Sequence, residues 1–327
     1  MKLLLLALLV AGSLAVAVPR GTEHLSGKDL VNYLNTHQKS FVAIEHGLSE
    51  TDMKARAMRK EYVTGGNVPF APEISTINED SIPATFDSRT AWKSCSSISH
   101  IRNQGQCGSC WAFGASAVIT DRICIHSNAA QQPVISSEDI LDCCNSYDKT
   151  CGSCEGGYPF TALNFWGAKG VVTGGDYGSN VGCKPYSVNP NTNGKIPTPA
   201  CSASCRSGYG VSYSNDKHIG GEKAYRVTAK SVPAIQKEIM TNGPVVNCFD
   251  LYADFYNYKS GVYVHTAGNY VGGHCVKIMG WGTDNGTPYW LAANSWGTSF
   301  GESGFFRILR GVNENGFEEY VYGALPK

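Results

Sequence analysis

The chain has 327 residues, 42% of them hydrophobic, and its charges balance at 27 Lys plus Arg against 27 Asp plus Glu. That length and apolar content suit one large or two modest cores. The balanced charge offers no basic field for nucleic acid or an anionic membrane, so neither is expected as a partner.

Lys2, the apolar run Leu3 to Val10 and the small-x-small site Ala15-Val16-Ala17 read as a secretory signal peptide over residues 1–17. The run, about 15 residues, is short of the roughly 20 that a spanning helix needs, so no membrane span is expected. Residues 18–81 carry no cysteine. Ser26 to Asn35 predicts a short amphipathic helix, with Leu30, Tyr33 and Leu34 on one face and Ser26 as its cap. Ser49 to Tyr62 predicts a second helix rich in Lys and Arg, and Gly65 to Asp80 an extended tether. The segment reads as a propeptide or as an N-terminal helical subdomain retained for life.

The body begins near Ile82-Pro83. A glycine-rich turn, Gln104-Gly105-Gln106-Cys107-Gly108-Ser109-Cys110, leads into a predicted helix from Trp111 to His126. Ser136 and Asp139 have capping-box spacing and open a helix reaching Cys144. Gly152 to Tyr158 is a glycine-rich loop, and Thr161 to Lys169 a helix stopped by Gly170. Residues 171–222 are loop-dominated. Ser231 caps a helix to Met240 with Pro233 in its first turn. Strand patterns follow at Val245–Leu251, Val262–His265, His274–Trp281, Thr287–Ala293 and Gly304–Leu309, with a hairpin turn at Asp284-Asn285-Gly286. Helices first and strands second predict an α+β chain of two lobes, about 82–222 mainly helical and about 223–327 mainly β.

Thirteen cysteines behind a signal peptide mean disulfides, and an odd number leaves at least one thiol unpaired. Cys107/Cys110 and Cys151/Cys154 are both Cys-x-x-Cys pairs. A zinc site of two such pairs usually has roughly 15–20 residues between them, against 40 here. A redox pair wants a βαβ context, and no strand is predicted before Gln104. The third reading makes Cys110 a nucleophile. At a helix N-terminus, unpaired N–H groups and the helix dipole favour thiolate over thiol.

A thiolate near neutral pH needs a positive partner, usually an imidazolium. His274 opens a predicted buried strand behind Gly272-Gly273. Asn294, in Asn294-Ser295-Trp296-Gly297, can accept the other ring N–H and fix the imidazole without adding charge. Trp296 can cover that bond. Gln104, with the backbone N–H of Cys110, can donate to an oxyanion. No metal or cofactor is expected. Asn285-Gly286-Thr287 is a glycosylation sequon.

These residues, with Ile82-Pro83-Ala84-Thr85-Phe86-Asp87, Gly156-Gly157-Tyr158-Pro159, Val181-Gly182-Cys183-Lys184-Pro185-Tyr186-Ser187 and Gly286-Thr287-Pro288-Tyr289-Trp290-Leu291, resemble the papain superfamily and, within it, the cathepsin B-like subfamily. The resemblance implies a papain-like two-lobe fold, a helical lobe carrying Cys110 and a β-barrel-like lobe carrying His274 and Asn294, with the cleft between. It implies a secretory zymogen of a cysteine endopeptidase that cleaves peptides and proteins. Its own propeptide inhibits it, cystatin-type inhibitors are further partners, and a monomer is expected. Lysosome-like or vacuolar acidic vesicles, or the outside of the cell, are the implied locations.

The implied disulfides are Cys95–Cys124, Cys107–Cys154, Cys143–Cys201, Cys144–Cys151 and Cys183–Cys205, with Cys110 free. The implied cleft residues are Gly156, Gly157, Tyr158, Gly273 and Trp296. Cys248, Cys275 and Tyr320 belong to the pocket for the second residue before the scissile bond. Three departures stand out. Residues 189–200 contain no histidine, whereas the subfamily's occluding loop carries a histidine pair for the substrate's C-terminal carboxylate. Weak or absent removal of C-terminal dipeptides follows. Tyr320 replaces a pocket glutamate, which predicts apolar or aromatic preference there. Cys248 and Cys275 replace small residues and are expected as two buried free thiols, with a sixth disulfide as the alternative. A non-catalytic cathepsin-like binding protein is the other functional class; such homologues usually lack the nucleophile.

Overall fold

The computed structural model describes residues 21–63, 78–221 and 223–327. The segment expected as a signal peptide and most of the expected tether lie outside these residues. Among the described residues, no helix is long and apolar enough to cross a membrane.

The helix Cys110–His126 is mainly apolar and carries no polar stripe for solvent, and all but Ala117 and His126 are buried. Such a helix must be packed on every side. The helices Ser137–Cys143 and Pro159–Lys169 cover one flank, and strands of the second lobe cover the other. A Cβ on Gly114 would stand 2.6 Å from Val246 Cγ2, so the helix backbone rests directly on the strand Val245–Tyr252.

Two buried ion pairs lock the contact between lobes. Asp121 on the helix meets Lys277 on the long strand Tyr270–Asp284 at 2.6 Å, and Ser97 Oγ donates to the same carboxylate. Arg122 pairs with Glu238 at 2.8 Å and donates to Tyr225 Oη and to the carbonyls of Pro244 and Ala324. Removing one partner of such a pair strands a charge at a cost of about 3–5 kcal/mol, so these pairs hold the lobes in one placement.

The second lobe supplies seven described strands of a nine-stranded sheet, completed by Phe41–Ala43 and Phe86–Asp87. Its centre is the pairing of Tyr270–Asp284 with Val245–Tyr252 on one side and Thr287–Ala293 on the other, all antiparallel. Asn285 and Gly286, at φ 47° and 83°, make the two-residue turn that the Asp-Asn-Gly run predicts. The lobes are not divided by a single cut near 222. Phe86–Asp87 pairs with Trp281 and Gly280 in the second-lobe sheet, and Gly220 pairs with Pro326. Each end of the body thus straps the opposite lobe. Phe86–Asp87 is also a strand before Gln104 that the sequence reading lacks; it lies in the second-lobe sheet and makes no βαβ unit.

Other differences are local. Ser26 stands at the N-cap of Gly27–His37 without a side-chain cap bond. The helix expected over Ser49–Tyr62 stops at Arg56, because Ala57 turns extended and Met58 pairs with Gly273 instead. A long-range backbone pairing has overridden local helix propensity there. The strand expected at Val262–His265 runs Tyr258–Tyr263. His265 leaves it and packs on Asp254 at 3.0 Å.

Six disulfides are present: Cys95–Cys124, Cys107–Cys154, Cys143–Cys201, Cys144–Cys151, Cys183–Cys205 and Cys248–Cys275. The last corrects the expectation of two free thiols. Cys248 and Cys275 stand directly opposite each other on adjacent antiparallel strands, with Cα atoms 4.0 Å apart. The register, which sequence spacing does not reveal, makes them partners. Neither Cys-x-x-Cys pair keeps two free thiols, so the zinc and redox readings fall. Cys110 is the free cysteine. Unfolded, unreduced protein should therefore take up one equivalent of iodoacetamide by intact mass, and thirteen after reduction. Three equivalents without reduction would contradict the Cys248–Cys275 bond.

Candidate active site

Cys110 is the first residue of its helix, with Ser109 at the N-cap. Gly105, at φ 60°, turns the preceding loop back on itself, and Cys107–Cys154 ties that loop to the glycine-rich strip 152–157. A Cβ on Gly108 would meet the carbonyls of Cys154 and Ala57 at 2.7 and 2.8 Å, so only glycine lets three backbones converge here. Ser109 Oγ and the Gln104 carbonyl both bond the Tyr186 hydroxyl at 2.8 Å, which fixes the turn from behind.

The long strand brings His274 to this helix end. The Cys110 thiol sits beside the backbone N–H of Cys275, next to His274, as well as the N–H groups of Cys110 and Trp111. His274 Nε2 donates to Asn294 Oδ1 at 2.7 Å, and the same oxygen accepts from the Ser295 N–H at 2.7 Å. His274 Nδ1 is buried without a hydrogen-bond partner among the described residues. Trp296 lies 4.6 Å from the imidazole, ring to ring, and covers its bond to Asn294.

Gln104 is fully buried. Its Oε1 accepts from Ser295 Oγ at 2.7 Å, which turns Nε2 outward. Nε2 donates to the Cys107 carbonyl at 2.7 Å and to the Arg56 carbonyl at 3.0 Å. Ser295 is thus a positioning residue that the sequence reading missed. Its place between Asn294 and Trp296 was the available signal.

Residues 56–63 run through the cleft. Met58 exchanges two backbone hydrogen bonds of 2.8 Å with Gly273 on the second lobe, and the Arg59 N–H donates to the Glu155 carbonyl on the first. Arg59 also pairs with the Glu155 carboxylate at 2.8 Å. The Tyr158 hydroxyl donates to the Glu61 carbonyl at 3.2 Å, and the Tyr62 and Tyr158 rings meet edge-on. Side chains added at Gly156 or Gly273 would strike Tyr62, Met58 or Val63. Gly157 instead lies against the Trp111 indole, so it supports the strip from beneath.

Met58 is buried with its Sδ 3.7 Å from Cys275 Sγ. The disulfide therefore forms a wall of the pocket that Met58 fills. Tyr320 stands opposite Cys248 in register and packs on the same apolar cluster. The Arg226 guanidinium lies 4.9 Å over the Tyr320 ring.

Under this cover, burial pushes the Cys110 thiol up to about 12. Burial likewise pushes His274 down to about 4, against the opposing effect of its bond to Asn294. In this state burial opposes the thiolate expected at a helix N-terminus, because desolvation outweighs the helix-end N–H groups when water is excluded. Both groups are neutral between those values.

Residues 82–325 match the model of the papain family cysteine proteases. The chain is 50% identical over 335 residues to a gut-specific cysteine proteinase of Caenorhabditis elegans, covering the whole of both chains. It is 46% identical over 346 residues to that organism's cathepsin B-like cysteine proteinase 4, again over all of both. Among solved structures, it is similar to procathepsin B S9 from Trypanosoma congolense, with 30% identity, a TM-score of 0.76, and coverage of 91% of this chain and 96% of that one. By fold and full-length kinship, this chain belongs to the papain family of cysteine proteases and is cathepsin B-like.

Proposed function

We propose that the processed enzyme is an endopeptidase in which Cys110 forms a thioester with the substrate acyl group. The observation that carries this reading is the shared network His274–Asn294–Ser295–Gln104 around the one free cysteine. His274 Nδ1 takes the Cys110 proton, and the thiolate attacks the peptide carbonyl. The Gln104 Nε2–H and the Cys110 N–H hold the resulting oxyanion. The imidazolium then protonates the leaving amine. Water, deprotonated by His274, hydrolyses the thioester and regenerates the thiol. Cys110→Ala should retain the fold, judged by circular dichroism, and lose all peptide hydrolysis. Activity near wild type would remove the mechanism, and the non-catalytic alternative would gain if a thiol-reactive epoxide failed to label the processed form.

Residues 18–81 are read as the inhibitory propeptide of a secretory zymogen. Support comes from the course of residues 56–63 through the cleft and from six disulfides, which persist in oxidising compartments. Lysosome-like or vacuolar vesicles and the extracellular space both fit, and cystatin-type proteins are proposed as inhibitors of the processed monomer. Neutral Cys110 in the zymogen is a poor nucleophile. Iodoacetamide should label the zymogen at least about tenfold more slowly than the processed enzyme at neutral pH, since the thiolate is the reactive form. Equal rates would contradict the cover.

The pocket filled by Met58 takes the second residue before the scissile bond. Tyr320 offers no carboxylate to an arginine, and the Cys248–Cys275 disulfide adds apolar surface. In the segment 189–200, Lys195 pairs with Glu155 and Ile196 packs into the first-lobe core. No histidine there is available to hold a substrate carboxylate. A peptide library should show internal cleavage after apolar or aromatic residues at that second position, with little release of C-terminal dipeptides. Equal turnover of Arg-Arg and Phe-Arg reporters would overturn the pocket assignment.

A further inference from the structure

The second-lobe wall of the cleft carries groups that the reaction above leaves unused. Asp250 stands opposite Gly273 in register, and Tyr252 opposite Tyr270. Strand alternation puts Cys248, Asp250 and Tyr252 on one face. The disulfide of Cys248 is what Met58 touches, so this face is the one residues 56–63 lie on.

Two residues beyond Met58, the Lys60 ammonium lies 5.4 Å from the centroid of the Tyr270 ring. Burial, the largest effect, pushes the Asp250 carboxyl up and Glu319 adds to it, while Lys60, the cation acting on it, and the Tyr270 hydroxyl favour the charged form. Tyr252 meets Tyr270 edge-on at 5.6 Å and stacks on His265 at 3.7 Å, which braces the aromatic wall. The buried Tyr270 hydroxyl and the Asp250 carboxylate also act on each other across this wall, the hydroxyl as donor. Lys60 belongs to the segment that leaves on processing. A half-buried carboxylate and the face of a phenol then meet an open cleft, a combination suited to a cation.

We propose that Asp250 and Tyr270 form an upstream subsite of the processed enzyme that takes a lysine or arginine side chain of the substrate, and that Lys60 is the propeptide's own occupant of it. The inference rests on the peptidase reading. In an extended substrate, side chains on one face recur every second residue. The Arg56 carbonyl lies on Gln104 Nε2, so the segment leaves the Cys110 end toward Lys60, opposite to the direction of a substrate. With the Met58 pocket assigned to the second residue before the scissile bond, the side chain reaching Asp250 is that of the fourth.

The test compares kcat/KM of the processed enzyme for two internally quenched peptides that differ only in Lys or norleucine at that fourth position. Wild type should favour Lys by about fivefold to tenfold, as a cation over a ring beside a partly exposed carboxylate implies, and less at high salt. The ratio should fall toward one in Asp250→Asn and also in Tyr270→Leu. A wild-type ratio of one, which needs no variant to fold, overturns the subsite alone, as does a ratio unchanged in both variants. Wild-type enzyme that cleaves neither peptide overturns the peptidase reading and the subsite with it.

Discussion

The Cys110 thiol and the His274 imidazole come from different lobes, so their meeting depends on how the central helix seats against the long strand Tyr270–Asp284. Gly114 lets the helix backbone reach the sheet, and Asp121–Lys277 prevents it from sliding. A buried pair of this kind contributes little net stability against an apolar substitute. Its role here is placement. A small slide or rotation at this contact would shift the strand carrying His274 against the helix end carrying Cys110, and the proposed reaction depends steeply on such geometry.

The residues that cross the cleft act on the same pair by excluding water. Desolvation penalises both the thiolate and the imidazolium, so covering them favours the neutral forms of both. The covering segment meets the donors and acceptors of the two walls: Gly273 by paired backbone bonds, Glu155 by backbone and carboxylate, and Gln104 Nε2 by the Arg56 carbonyl. Removal of the segment returns water to the site and leaves Gln104 Nε2 with a direction in which to donate. One segment thus closes the cleft and adds to the desolvation of both groups.

The disulfide Cys248–Cys275 links the pocket that Met58 fills to the strand carrying His274. It holds two central strands at the point where one carries His274 and the other faces Tyr320. Pocket shape and imidazole placement therefore share one covalent brace. Where a small side chain would leave a deeper pocket, the sulfurs present a polarizable apolar wall, and Met58 places its own sulfur against it.

Much of this was legible in the chain itself. The Gly-rich turn before an apolar helix marked Cys110, and the spacing of strand patterns with the Asp-Asn-Gly turn marked the second lobe. Ser136 and Asp139, Ser231 and Pro233 announced helix starts because capping is a local matter of a few neighbouring atoms. Long-range pairing was not legible. The register that sets Cys248 against Cys275, the strap of Phe86–Asp87 on the opposite lobe, and the pairing of Met58 with Gly273 that ends a helix early each join residues far apart in sequence. So too with charge: a helix N-terminus promises a thiolate, but burial by residues some fifty positions upstream decides the proton. Sequence alone determined which groups are present and how they fold locally; the tertiary structure decided which of them face each other and how much water stands between them.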